Sequence, residues 1–355
     1  MIKLYTSAAT PGMILAKPIY TKEGRLLIDR EMVLKEFYIE KLKRYSINHI
    51  YIYWSKSSKP EIQKIITEET RTIALTAIKD AVTGIHMKKE MDIQKLQTAI
   101  LRLTEELMED RGILLNLTDI RSIDEYTFGH CVNVCVLALI MGIALEYEKK
   151  DLQILGLGAL LHDIGKVNIR SEILTKPGAL TEEEYKEMKK HTLYGYQVVG
   201  NLKGLKEEVS WIIRDHHERF DGKGYPSGLI GKQIHEFSRI VAICDVYDAL
   251  TSHRVYRPGI PPHDAIEYLI TMGYHQFDCD LVKIFLKQIS IYPVGTLVKL
   301  RSGEEGIVVN SHEDFPTRPV VRVLRDALGN PIEIRKNVDL TEQLNNGIVD
   351  ILKAV

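Results

Sequence analysis

Five histidines and two aspartates, His130, His162, Asp163, His191, His216, His217 and Asp245, are of the residue types that a two-cation hydrolytic site requires. They fall on five separate segments, and the adjacent pairs His162-Asp163 and His216-His217 are the informative part. Such a centre needs several neutral imidazoles, a carboxylate able to bridge two ions, and a coordination position left open for water. Neighbouring helical residues differ in direction by about 100°, so two adjacent ligands at a helix end can reach neighbouring cations in a cleft. His162 would hold one ion while Asp163 bridges two. Imidazole and carboxylate ligands suit iron, manganese or zinc. The four cysteines (Cys131, Cys135, Cys244, Cys279) lack the spacing of a structural zinc site and read as reduced core thiols. Spacing alone leaves open the alternative of histidines satisfied within a core.

The elements that must position these residues can be read from periodicity and turn signals. Residues 1–56 alternate short apolar runs with turns. Strands are expected at Ile14-Leu15-Ala16, Leu26-Leu27-Ile28 and Ile50-Tyr51-Ile52-Tyr53, with a helix around 31–45, and 54–60 reads as a linker. Residues 61–290 read as nearly all helix, and 61–110 could pack on this core or form a dimer contact. A capping box at Ser122–Glu125 would open an apolar helix over 125–145. The pattern over 151–166 ends at Gly165, which puts the His162-Asp163 pair in the last turn of a buried helix. A second capping box at Thr181–Glu184 opens a helix carrying His191. A helix over 206–219 carries His216-His217 and runs into a glycine- and proline-containing loop, 221–226. A helix over 237–250 presents Asp245. Residues 292–355 change to short β-rich runs with turns between them. The chain is therefore expected to be mainly α: an all-helical domain over 61–290, flanked by a small α+β module (1–56) and a small β-rich module (292–355).

Composition narrows the class. With 355 residues, 45% hydrophobic and 27% charged, the chain has room for more than one core and the make-up of a soluble globular protein. A formal net charge of −1 argues against a DNA or RNA polymer as partner. The opening MIKLYTSAATPG lacks an apolar signal region, and the longest apolar stretch, 131–145, is shorter than the ~18–20 residues of a membrane helix. Cytoplasmic residence without membrane insertion is expected.

The strings HDIGK (162–166), the helix with His191, and DHHERFDGKGYP (215–226) resemble the HD-GYP family of bacterial phosphodiesterases, a branch of the HD-domain metal-dependent phosphohydrolases. The string ICDVYDALTSHRVYR (243–257) is similar to the family's downstream aspartate and basic positions, and the resemblance covers about 120–290. It implies a helical HD-type catalytic domain whose metal ligands are His130, His162, Asp163, His191, His216, His217 and Asp245. It implies phosphate contacts from Lys166, Arg254 and Arg257, and a ligand contact from Tyr225 of the GYP turn. The implied substrate is cyclic di-GMP, the implied products pGpG, GMP or both, and the implied metals iron or manganese. Relatives with a third metal carry a glutamate four residues before the first histidine, on the same helical face. Here Tyr126 occupies that position and Glu125 lies off-face, so two ions are expected. His253 stands where many relatives have aspartate.

The chemistry is self-consistent. Two cations offset the charge of a phosphodiester and make water acidic enough to attack phosphorus near neutral pH. Lys166 would neutralise charge on the phosphoryl oxygens. Arg254 and Arg257, neighbours on one face if helical, would grip a second phosphate or a guanine edge, and Tyr225 would stack on a base or fix its loop. The rivals are a catalytically weak cyclic-dinucleotide receptor, an HD hydrolase of another nucleotide, and a scaffold that signals through its end modules.

Overall fold

Alternating apolar residues in short strands build one part of the molecule, and amphipathic or wholly apolar helices build the other. The computed structural model describes residues 2–6, 9, 11, 13–20, 26–30, 32–45, 47–53, 66–109, 126–200, 202, 204–252, 259–260, 262–289, 291–292, 294–312, 315–330, 332 and 336–352. Two compact units result, one from Lys64–Ile289 and one from both chain ends, Met1–Gln63 with Ser290–Val355.

In the end unit, strands β1 (Ile2–Tyr5), β2 (Ile14–Leu15) and β5 (His49–Tyr53) form an antiparallel sheet with β5 in the middle. Strands β3 (Ile19–Tyr20) and β4 (Leu26–Ile28) pair separately, and helix α1 (Glu36–Arg44) buries Ile39 and Leu42. Beyond residue 290, β6 (Leu297–Leu300), β7 (Glu305–Asn310), β8 (Val320–Arg325), β9 (Asn337–Asp339) and β10 (Ile348–Ile351) make a five-stranded antiparallel sheet in the order β10-β6-β7-β8-β9. One face of it buries Val298, Leu300, Val308, Val321, Val323 and Val338. Ile307 points the other way, into a core with Leu15, Leu34, Leu42 and Ile50, because successive strand side chains alternate faces.

The helical unit runs α2 (Glu68–His86), α3 (Ile93–Glu109), α4 (Tyr126–Ala144), α5 (Lys149–Leu161), α6 (Ser171–Leu174), α7 (Glu182–Lys189), α8 (His191–Gly200), α9 (Glu207–Asp215), α10 (Glu236–Thr251), α11 (Pro262–Met272) and α12 (Cys279–Gln288). Helix α4 is buried at every position from Cys131 to Leu139. A helix apolar on all sides belongs inside a bundle, and α4 packs against α2, α3, α5, α10 and α12. The segment 61–110 supplies two helices, and both lie on this core: α2 packs on α4, and α3 on α4 and α5. No helix among the described residues is long and apolar enough to cross a membrane. The proposed cap at Ser122–Glu125 lies outside the described residues.

Small residues allow the close approaches that shape the bundle. A Cβ on Gly158 would come within 2.3 Å of Ile212, so α5 and α9 can touch only because none is there. The capping box at Thr181–Glu184 forms, with the Thr181 hydroxyl accepting from the Glu184 N–H and the Glu184 carboxylate from the Thr181 N–H. The helix it opens ends at Lys189, and His191 begins the next one.

Candidate metal centre

Four of the seven candidate ligands stand at or just beyond helix C-termini. His162 is the C-cap of α5, and Asp163 leads into a 3-10 turn over Ile164–Asn168, so the pair lies one step beyond the helix expected to carry it. His216 is the C-cap of α9, and His217 follows it. Helix C-termini carry partial negative charge from their unpaired carbonyls, which favours cations nearby. His191 is the first residue of α8, His130 lies in the second turn of α4, and Asp245 lies within α10.

These side chains converge in two groups. Asp163, His191, His216 and His217 form one, and His130, His162 and Asp245 the other; within each, the potential ligand atoms lie within 4.8 Å of one another. Asp163 faces both. Its Oδ1 is 3.4 Å from His191 Nε2, while its Oδ2 is 3.4 Å from His162 Nε2 and 4.0 Å from His130 Nε2. Asp245 reaches His130 Nε2 through Oδ1 at 3.0 Å, and its Oδ2 is 3.9 Å from His217 Nδ1.

The ring orientations are set from behind. His162, His191 and His216 each donate Nδ1–H to a backbone carbonyl three residues earlier, those of Ala159, Met188 and Ile213, at 2.8, 2.7 and 2.9 Å. A carbonyl only accepts, so Nδ1 carries the proton and each Nε2 lone pair points into the site. His130 donates Nδ1–H to Asp248 Oδ2 at 2.7 Å. Outer-shell bonds of this kind orient imidazole ligands and raise their basicity.

Charge states suit cation binding at the candidate ligands other than His130, whose pKa Asp245 and Asp248 raise against its burial. Burial, then the neighbouring imidazoles, drive the His216 pKa well below its ordinary value; burial also lowers His191, and His217 falls to about 3. Burial would raise Asp163, but Lys166 and His162 hold its carboxyl well below the usual range. Asp245 is likewise held low, with His130 outweighing burial. Neutral imidazoles and ionised carboxylates are the forms a metal takes. Among the described residues, His162 Nε2 and Asp163 Oδ1 are buried without a hydrogen-bond partner. Unsatisfied buried polar atoms are costly, and a divalent ion between these groups would satisfy both, so the donor set fits such ions.

Around this cluster, the half-buried Lys166 ammonium pairs with Asp163 Oδ2, which raises the pKa of the lysine against the opposing effect of desolvation. Tyr225 lies on the rim: its ring centroid is 4.9 Å from that of His217, and Lys189 Nζ is 5.4 Å from the tyrosine ring. Arg254, Arg257 and His253 lie outside the described residues, as do Glu125 and the Tyr126 side chain. Two acidic residues near the centre escaped sequence reasoning. Asp248 lies one turn beyond Asp245 on the same helical face, a spacing that marks it as a neighbour. Glu218, directly after the histidine pair, is 3% exposed and accepts three backbone N–H bonds, from Ser227, Gly228 and Leu229. It ties the loop after Tyr225 to the end of α9.

Comparisons with known proteins agree with this architecture. An HD domain model matches residues 100–281, just over half of the chain, and a KOW domain associated with HD domains matches 297–354. The chain belongs to the HD-domain family. It is 35% identical over 268 residues to a Pseudomonas aeruginosa protein named a cyclic di-GMP phosphodiesterase, covering 74% of this chain and 64% of that one. It is 39% identical over 144 residues to RpfG of Xanthomonas campestris pv. campestris, named a cyclic di-GMP phosphodiesterase response regulator, covering 40% and 38%. A Vibrio cholerae protein named 3'3'-cGAMP-specific phosphodiesterase 3 is 33% identical over 168 residues, covering 47% and 36%. The chain thus spans less than two thirds of the length of each of these relatives. Among solved structures, Bd1817, an HDG"Y"P protein from Bdellovibrio bacteriovorus, superposes with a TM-score of 0.52 over 80% of this chain and 97% of that one, at 18% identity, a likeness of fold.

Proposed function

We propose that this chain is a metal-dependent phosphodiesterase that hydrolyses cyclic di-GMP to pGpG, GMP or both. The observation that carries the proposal is the pair of candidate ligand groups joined through Asp163, with buried donor atoms that no group among the described residues satisfies. One divalent ion would be held by His130, His162 and Asp245, a second by His191, His216 and His217, with Asp163 shared. Iron or manganese suits this donor set. When bound, the two ions supply Lewis acidity, offsetting phosphodiester charge and lowering the pKa of water. The names of the relatives support the substrate class.

The chain's own residues do the remaining work. Lys166 neutralises charge that builds on the phosphoryl oxygens. Tyr225 offers a ring beside His217 for a base to stack on, and Arg254 and Arg257, by motif position, grip the second phosphate or a guanine edge. Buried free thiols at Cys131, Cys135 and Cys244 fit a reducing compartment, so the cytoplasm is the proposed location. Asp163→Ala tests the function: the variant should lose both bound metal and hydrolysis of cyclic di-GMP. Normal turnover by it would end the proposal.

Likeness to the 3'3'-cGAMP-specific enzyme of Vibrio cholerae supports a second reading, hydrolysis of a mixed cyclic dinucleotide. Rates on both substrates with iron- and manganese-loaded protein decide between them.

A further inference from the structure

Helix α2 carries a buried arginine that the hydrolytic reading leaves without a role. Arg71 is 4% exposed, and its Nη2 donates to Asn133 Oδ1 at 3.2 Å. The Asn133 amide donates from Nδ2 to Asp248 Oδ1 at 3.0 Å, and Asp248 Oδ2 accepts from His130 Nδ1 at 2.7 Å. All four side chains are buried, and they come from three helices: α2, α4 and α10. Arg71 lies upstream of the 100–281 stretch that matches the HD domain model.

The direction of this chain of bonds follows from its ends. A guanidinium only donates and an ionised carboxylate only accepts. Between them, Asn133 has one satisfactory orientation, with its oxygen toward Arg71 and its NH2 toward Asp248. The reversed amide would set donor against donor and oxygen against oxygen. With Asp248 Oδ1 held by the amide, Oδ2 is left to accept from His130, and this fixes the tautomer that turns His130 Nε2 into the site.

We propose that Arg71 is a positioning residue for the His130–His162–Asp245 group, acting through Asn133 and Asp248, so that helix α2 sets the cation affinity of that half of the centre. The inference rests on the two-ion reading above. The hydrogen-bonded link from α2 enters this half through His130, whereas the rings of His162, His191 and His216 are oriented by backbone carbonyls three residues earlier.

The test measures Mn2+ binding to the full chain by equilibrium dialysis with metal analysis, alongside the melting temperature of metal-free protein. Arg71→Met should weaken one of two Mn2+ ions by about 10- to 100-fold, the range seen when outer-shell partners are removed, and leave the other within about threefold. In an Asn133→Ala background the same substitution should add nothing to the loss of affinity, although it still lowers the melting temperature. Arg71→Lys, which retains a donor, should restore most of the affinity, and it serves where the methionine variant does not fold. Two Mn2+ bound with wild-type affinity in Arg71→Met, or undiminished affinity in Asn133→Ala, would overturn the inference alone. Wild-type protein that binds no Mn2+ would overturn the two-ion reading itself and this inference with it.

Discussion

Gly165 lies against Gly195 with no room for a side chain between them. A Cβ at residue 165 would sit 2.3 Å from the Gly195 nitrogen and 1.9 Å from the His191 carbonyl oxygen. This backbone contact joins the turn after Asp163 to the helix that begins at His191, and it is what brings Asp163 Oδ1 within 3.4 Å of His191 Nε2. Gly165→Ala should therefore push turn and helix apart. A destabilisation of about 2 kcal/mol or more is expected, as for other overpacked interiors, with loss of bound metal. Thermal unfolding checks the first outcome and metal analysis the second; a wild-type melting temperature would contradict the account.

Glu218 should govern how the substrate is held rather than the metal. Its carboxylate accepts from three successive backbone N–H groups, and an amide in its place could satisfy fewer of them. In Glu218→Gln the loop that presents Tyr225 loosens. The expected result is a several-fold rise in KM for cyclic di-GMP with metal content intact. An unchanged KM would remove Glu218 from the site's architecture.

Lys166→Ala separates binding of ions from chemistry. The variant loses the ammonium beside Asp163 but none of the seven candidate ligand side chains. Metal content should persist while kcat falls by about 10²- to 10³-fold, the scale of removing one charge-stabilising group from an active site. An unchanged kcat/KM would refute the role.

The pH dependence of metal binding follows from His130. Burial alone would lower its pKa, but Asp245 and Asp248 push it up to about 10. In metal-free protein it is therefore protonated at neutral pH, whereas His191, His216 and His217 are already neutral and the carboxylates ionised. An ion at the His130 group displaces one proton, so its affinity should rise about tenfold per pH unit between about pH 6.5 and 9. The stability sign is opposite for metal-free protein. A histidine pKa raised on folding stabilises fully below about 6.5 and loses that contribution as pH rises toward 10. His130→Gln should flatten the alkaline decline in melting temperature, and an unaltered slope would show that His130 is not its source.

Much of the centre was legible in the chain because its chemistry resides in residue types at short spacing. His162-Asp163 and His216-His217 announce adjacent candidate ligands, HDIGK and the DGKGYP turn carry family strings, and the apolar run after His130 dictates a buried helix. Helical periodicity and turn residues likewise marked the division into a helical body and strand-rich ends, since both are local properties. What only the tertiary structure decided is which oxygen of Asp163 faces which histidine, the role of Gly165 as a contact rather than a helix stop, and the links from Glu218 to its loop and from Arg71 to His130. These depend on approaches between residues tens of positions apart. A glycine reads the same whether it ends a helix or admits a neighbouring backbone, and a buried arginine reads like an exposed one until packing decides what surrounds it.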